Sequence, residues 1–208
     1  MFKKNGIIKR RSITIKKFDY KNLIFLVLFF CGFIIGVLTI KNDSSIVKDI
    51  FSELFSEYMY HKTNDSFFNC FLDSVLVIIS PVVLAFVFGL CAVGTPIVIA
   101  IPTVTGIVVG MAIGFLYFNY SLQGLGYAAL ILIPCLSIVI ATLLKCCGES
   151  VKMSIDIIAG ISGYQNQGKR NELKEYSLKF LIFSIPLILS ALLNICSFKL
   201  FGGLFSFV

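Results

Sequence analysis

Long runs of apolar residues, separated by short polar stretches, organise this chain. Five runs are of membrane-spanning length: 23–40 (LIFLVLFFCGFIIGVLTI), 71–90, 96–118, 126–144 and 178–198. At 1.5 Å per residue each covers a hydrocarbon layer of about 30 Å as a helix. None shows the strict apolar/polar alternation of a barrel strand, so the pattern predicts an all-α, polytopic membrane protein. The five prolines, Pro81, Pro96, Pro102, Pro134 and Pro186, all fall in these runs or at their ends. Neighbouring helices in a bundle can satisfy the carbonyls that proline frees, and kinks are expected near Pro81, Pro134 and Pro186.

The polar stretches set the orientation. Residues 1–22 carry eight cations against one acid, Asp19. The 145–177 connection adds Lys145, Lys152, Lys169, Arg170 and Lys174, whereas 41–66 holds five acids against Lys41, Lys48 and Lys62. Five spans place 1–22 and 145–177 on one side, which the positive-inside rule assigns to the cytoplasm. The expectation is N-in/C-out in a bacterial cytoplasmic membrane, with 41–66 and Tyr58, Tyr60, Tyr117 and Tyr120 near the outer surface. The first run exceeds the 7–15 residues of a signal-peptide core and no small-x-small site follows it before Lys41, so it reads as a retained span.

Inside the outer stretch, Ile46, Ile50, Leu54 and Tyr58 recur every fourth residue, with Val47, Phe51 and Phe55 beside them. Asp49, Glu53 and Glu57 repeat at the same interval on another face. This is an amphipathic helix over 43–60, with Asp43 and Ser44 as cap candidates. Its acidic face is either simply solvated or a docking surface for extracytoplasmic proteins. Lys145, Glu149, Lys152 and Asp156 extend the fourth span as a helix into the cytosol, and Gly160, Gly163 and GYQNQGKRN then read as a loop. Gly106, Gly110 and Gly114 form a doubled GxxxG stripe, and Gly32 and Gly36 a single one. Such stripes let two backbones touch, either within one chain or in self-association.

Composition narrows the chemistry further. The chain is 58% hydrophobic and 14% charged, with a mean hydropathy of +0.95, which excludes an ordinary soluble enzyme. The seven cysteines show no CxxC spacing and the single histidine, His61, has no companion, so neither a metal site nor a cofactor is expected. Asp73 is the only acid within a span; it can reach water, Lys62 or a lipid amine, and Lys179 can snorkel to the surface. No nucleophile–base pair is evident, so no catalytic residues are assigned and no enzyme is expected. The net charge of +7 is accounted for by topology and anionic lipid, leaving no case for nucleic acid.

The string VGTPIVIAIPTVTGIVVGMAIGFL at 93–116, the Gly124–Gly126 turn and the proline-centred span at Ile133-Pro134 resemble the stage II sporulation protein M family. The likeness covers about residues 20–200, and departs at Ile133 and Cys135, where polar or acidic flanks occur in parts of the family. It implies a non-enzymatic membrane scaffold that assembles peptidoglycan-degrading partners on the outer face during engulfment of the forespore. On that reading Asp49, Glu53 and Glu57 meet the wall-active partners. The alternative is a permease subunit of an ATP-driven exporter, with Gly94, Pro96 and Pro102 breaking the third span.

Overall fold

Glycine spacing decides the tightest interface of the molecule. The computed structural model describes residues 20–42, 45–64, 66–161 and 169–204; the basic tail before Tyr20, Asp43, Ser44 and most of the 163–171 loop lie outside them. The chain forms α1 (Tyr20–Lys41), α2 (Ser45–Asn64), α3 (Phe67–Gly89), α4 (Thr95–Tyr127), a π-helical turn (Ala128–Leu132), α5 (Ile133–Ile161) and α6 (Lys169–Phe201), with no strand among the described residues. A Cβ on Gly106 would run into the Phe29 carbonyl, and one on Gly110 into that of Phe33. In the other direction, one on Gly32 would meet the Thr103 carbonyl and one on Gly36 that of Ile107. The two stripes therefore interlock within one chain, and their residue numbers rise together, so α1 and α4 run parallel. Gly114 is different: a Cβ there would stand 3.5 Å from Val37 Cα, an ordinary contact, because the helices are diverging.

Among the described residues, four helical stretches are long and apolar enough to cross a membrane: Asn22–Lys41, Phe67–Gly89, Thr95–Ile158 and Leu173–Phe201. The third has 64 residues, about 96 Å if straight and three times the hydrocarbon thickness. It is two passes. Ser121 adopts φ 48° and ψ −125°, a left-handed backbone that reverses the chain. The ends then meet, with Thr95 Oγ1 donating to Ser154 Oγ at 2.9 Å and Ser154 Oγ donating to the Cys91 carbonyl at 2.9 Å. The described residues thus form an all-α bundle of five passes. The turn falls at Ser121 and not at Gly124–Gly126; Gly124 belongs to the returning helix, where it lies against the Leu116 carbonyl.

The bundle has a basic end and a far end. Asn22, Gly148, Ser154 and Tyr176 gather at the first, while Lys41, α2, Phe67, Ser121 and Lys199 gather at the second. Near the basic end the fourth pass continues as helix to Ile161, and α6 starts at Lys169, so the 145–177 connection is mostly helical. Glu149 accepts from Lys152 at 2.7 Å and from Lys179 at 2.8 Å. Lys179 is therefore tied across to α5 and does not simply reach for the surface.

Of the expected kinks, the one at Pro134 has a visible cause. Proline has no N–H to offer the carbonyl four residues back, and its ring crowds that carbonyl. The helix widens by one residue just before it, and Ile133 N–H bonds to the Ala128 carbonyl. The widened turn buries Tyr127, Ala128 and Ile131 in a cluster with Met59, Leu116 and Phe198 at the far end.

Candidate functional site

That cluster seats α2 across the far end of the bundle. Phe55 packs its ring 5.7 Å from Phe115, 6.0 Å from Tyr120 and 6.5 Å from Tyr127. One turn earlier, Phe51 meets Phe115 at 6.1 Å; one turn later, the Tyr127 hydroxyl approaches Met59 Sδ at 3.9 Å. The seated face is therefore Phe51, Phe55, Met59 and Lys62. Of the apolar face read from the sequence, Phe51 and Phe55 are seated, whereas Ile50, Leu54 and Tyr58 are exposed; Ile46 and Val47 lie outside the described side chains. Aromatic residues won the contest because the surface they meet, Phe115, Tyr120 and Tyr127, is itself aromatic.

The acids follow from this seating. At 100° per residue, Asp49, Glu53 and Glu57 centre on the side of α2 opposite the seated face, and each is exposed. Ile50, Leu54 and His61 form one flank between the two faces, and Ser52 and Ser56 form the other. Both serines bond the carbonyl three residues back, at 2.8 Å each. One flank suits lipid and the other water, so α2 lies at an interface with its carboxylates directed away from the bundle.

Lys62 holds the other end of the helix. It is 6% exposed, and its Nζ donates to the Tyr58 hydroxyl and to Asn194 Oδ1 on α6. It also stands 4.6 Å from the Tyr58 ring centre and 4.8 Å from that of Phe198. Behind it, Asn194 Nδ2 points to Cys135 Sγ at 3.6 Å, and Ser190 Oγ donates to the Cys135 carbonyl at 3.0 Å. Of the partners open to Asp73, Lys62 is not taken: Asp73 is exposed on α3, and no carboxylate bonds Lys62 among the described residues. Neither Lys62 nor Asn194 stood out in the sequence. Both had a signal, since Lys62 continues the 51/55/59 stripe, and Asn194 with Ser190 is a polar pair at i, i+4 inside an apolar span.

Burial depresses the Lys62 pKa to about 8 from 10.5, the thiols of Cys70 and Cys135 standing around it. A base whose folded pKa is lowered weakens the fold while it is charged. That cost is complete below pH 8 and is relieved as pH rises towards 10.5, where the unfolded chain loses its proton as well. The protein should therefore gain stability between those values, by at most about 3 kcal/mol. Comparing thermal unfolding in detergent across this window for the wild type and Lys62→Met should show a rise in Tm that the variant lacks. An equal rise in both would assign it to other groups.

The remaining residues offer little chemistry. All seven cysteines are free thiols, and no three His, Cys, Asp or Glu side chains cluster to hold a metal among the described residues. The glycine stripe on α4 is covered by α1 of the same chain.

The fold defines a class: a multi-pass, all-helical membrane protein with an amphipathic helix seated on one end. The family model for stage II sporulation protein M matches residues 25–194, and the chain belongs to that family. No curated protein and no solved structure matches it. Membership makes it a sporulation-related membrane protein, and the match takes in α2 and most of the bundle.

Proposed function

We propose that the protein is a non-enzymatic scaffold that anchors peptidoglycan-degrading partners at the outer face of the membrane during engulfment. One observation carries the reading: the three carboxylates of α2 face away from the surface on which the helix is seated. A helix merely covering the bundle would need only its aromatic face. Here the opposite face is a row of like charges one turn apart, which disfavours the isolated helix slightly. The positive-inside rule supports an outer position for the far end, because the sequence's cations precede α1 and recur in 145–177, whose described helical parts lie at the opposite end. Asp49, Glu53 and Glu57 would then meet a basic surface on an extracytoplasmic partner.

Changing Asp49, Glu53 and Glu57 together to Ser should leave the membrane level of the protein unaltered, since none of the three is in the seat. Co-purification of extracytoplasmic wall-degrading proteins should fall several-fold. Exposed charges act mainly through association rate and salt dependence, so the loss should be largest at low ionic strength. Full recovery of those proteins at low salt would show that the acidic face is only solvated.

A further inference from the structure

On the side of the bundle formed by α3 and α6, the two helices leave an apolar groove of about 390 Å³, within the range of ~300–1,000 Å³ typical of ligand sites. Val82 and Leu187 form its floor and are buried, while Val83 and Leu181 on its rims are 50% and 67% exposed. On α6 the lining runs from Ser177 to Leu187, about 15 Å of helix, which is half of a ~30 Å hydrocarbon layer. The groove thus serves one leaflet. Its inner limit is at the basic end, where Phe86 stacks on Tyr176 at 5.2 Å and the Tyr176 hydroxyl donates to the Phe86 carbonyl at 3.0 Å.

Of the two serines that line the groove, Ser184 turns its hydroxyl back to the Leu181 carbonyl at 2.7 Å, and the other lies at that same end. Ser177 lines the groove, and Lys174 shares its helix face, at the i, i+3, i+7 spacing of Lys174, Ser177 and Leu181. Lys174 is exposed; among the described ion pairs Glu149 engages Lys152 and Lys179 but not Lys174. An apolar channel one leaflet deep, closed by aromatic rings and topped by a hydroxyl and an ammonium group, has the polarity of a phospholipid with an anionic head. We propose that the groove holds an anionic phospholipid of the leaflet at the basic end, with an acyl chain along Val83 and Leu181 and its phosphate at Lys174 and Ser177. Such a lipid would wedge α3 against α6 and make the packing of the bundle depend on membrane composition.

The chain contains no tryptophan, so one introduced indole reports its own surroundings. Leu181→Trp places it on the groove rim. Leu84→Trp places it on the far side of α3, also at an exposed position (48%). The full chain carrying either substitution would be reconstituted in vesicles of phosphatidylcholine and phosphatidylglycerol, with bromines on the acyl chains of one or the other. One cation beside an anionic head favours it about fivefold. Phosphatidylglycerol should therefore quench the Leu181→Trp variant about five times more effectively than phosphatidylcholine, and the Leu84→Trp variant about equally. Adding Lys174→Gln to Leu181→Trp should return the ratio to about one. A ratio near one with Lys174 intact, or a preference that survives Lys174→Gln, would overturn the proposal. So would an indole at 181 that neither lipid quenches, since a second copy or a partner helix would then cover the groove.

Discussion

Replacing Gly110 with leucine should abolish recovery of folded protein, while Val109→Leu, one residue away, should be mild. The distinction is geometric. Gly110 faces the Phe33 backbone so closely that even a Cβ collides with its carbonyl, and backbone has no rotamer by which to yield. Overpacking a tight site typically costs ~1–3 kcal/mol when side chains can adjust. Here α1 must move away from α4, losing the close approach that supplies most of the attraction between helices in lipid. Gly106→Leu should behave in the same way. Gly114→Ala is the internal control, since a methyl group there finds ordinary contacts with Val37 and Ile40. Monodisperse yield by size exclusion in detergent checks the set. Normal yield for Gly110→Leu would contradict the α1–α4 register.

Close helix packing at the two glycine stripes was legible in the sequence because such a stripe has few uses in a membrane helix, whereas its pairing of α1 with α4 of the same chain, rather than with a second copy, was not. The five passes were legible for a similar reason: apolar length is fixed by bilayer thickness, whatever packs against what. Details that depend on a partner surface were not. Periodicity showed that 43–60 is amphipathic, but two apolar stripes competed, and the aromatic face of α4 decided between them. The chain reversal was expected at a glycine, whereas Ser121 takes the left-handed backbone and Gly124 serves close packing instead. Lys62 read as a cation of the outer stretch within reach of Asp73, because nothing local shows that Asn194, 132 positions away, accepts its hydrogen bond. The acidic residues could be placed on one face from the sequence; that this face opposes the seat could not.

Unseating α2 should have the second large effect. Phe55 stands among Phe115, Tyr120 and Tyr127, and removing a buried phenylalanine side chain costs ~3–5 kcal/mol. Phe55→Asp adds the penalty of a carboxylate among rings with no cation provided for it. Phe55 is half-buried, so the lower end of that range applies, and α2 should detach while the five passes stay folded. Lys62, now 6% exposed, should become reactive towards a membrane-impermeant amine reagent, as read by peptide mass spectrometry. Phe55→Leu should leave it protected. Partner recovery should fall in Phe55→Asp even though all three acids remain, because a detached helix no longer presents them in a fixed place. Protection of Lys62 in Phe55→Asp would mean that the helix is held by other contacts.

Site-specific photo-crosslinking in sporulating cells addresses the scaffold role most directly. A photoreactive side chain at Glu53 lies at the centre of the acidic face, and one at Leu84 faces lipid on α3. The Glu53 position should yield a discrete adduct with an extracytoplasmic wall-degrading protein, diminished when Asp49 and Glu57 are changed to Ser, and the Leu84 position should not. Adducts from Glu53 with cytoplasmic proteins only, or with none at all, would contradict both the outward placement of α2 and its role as the docking surface.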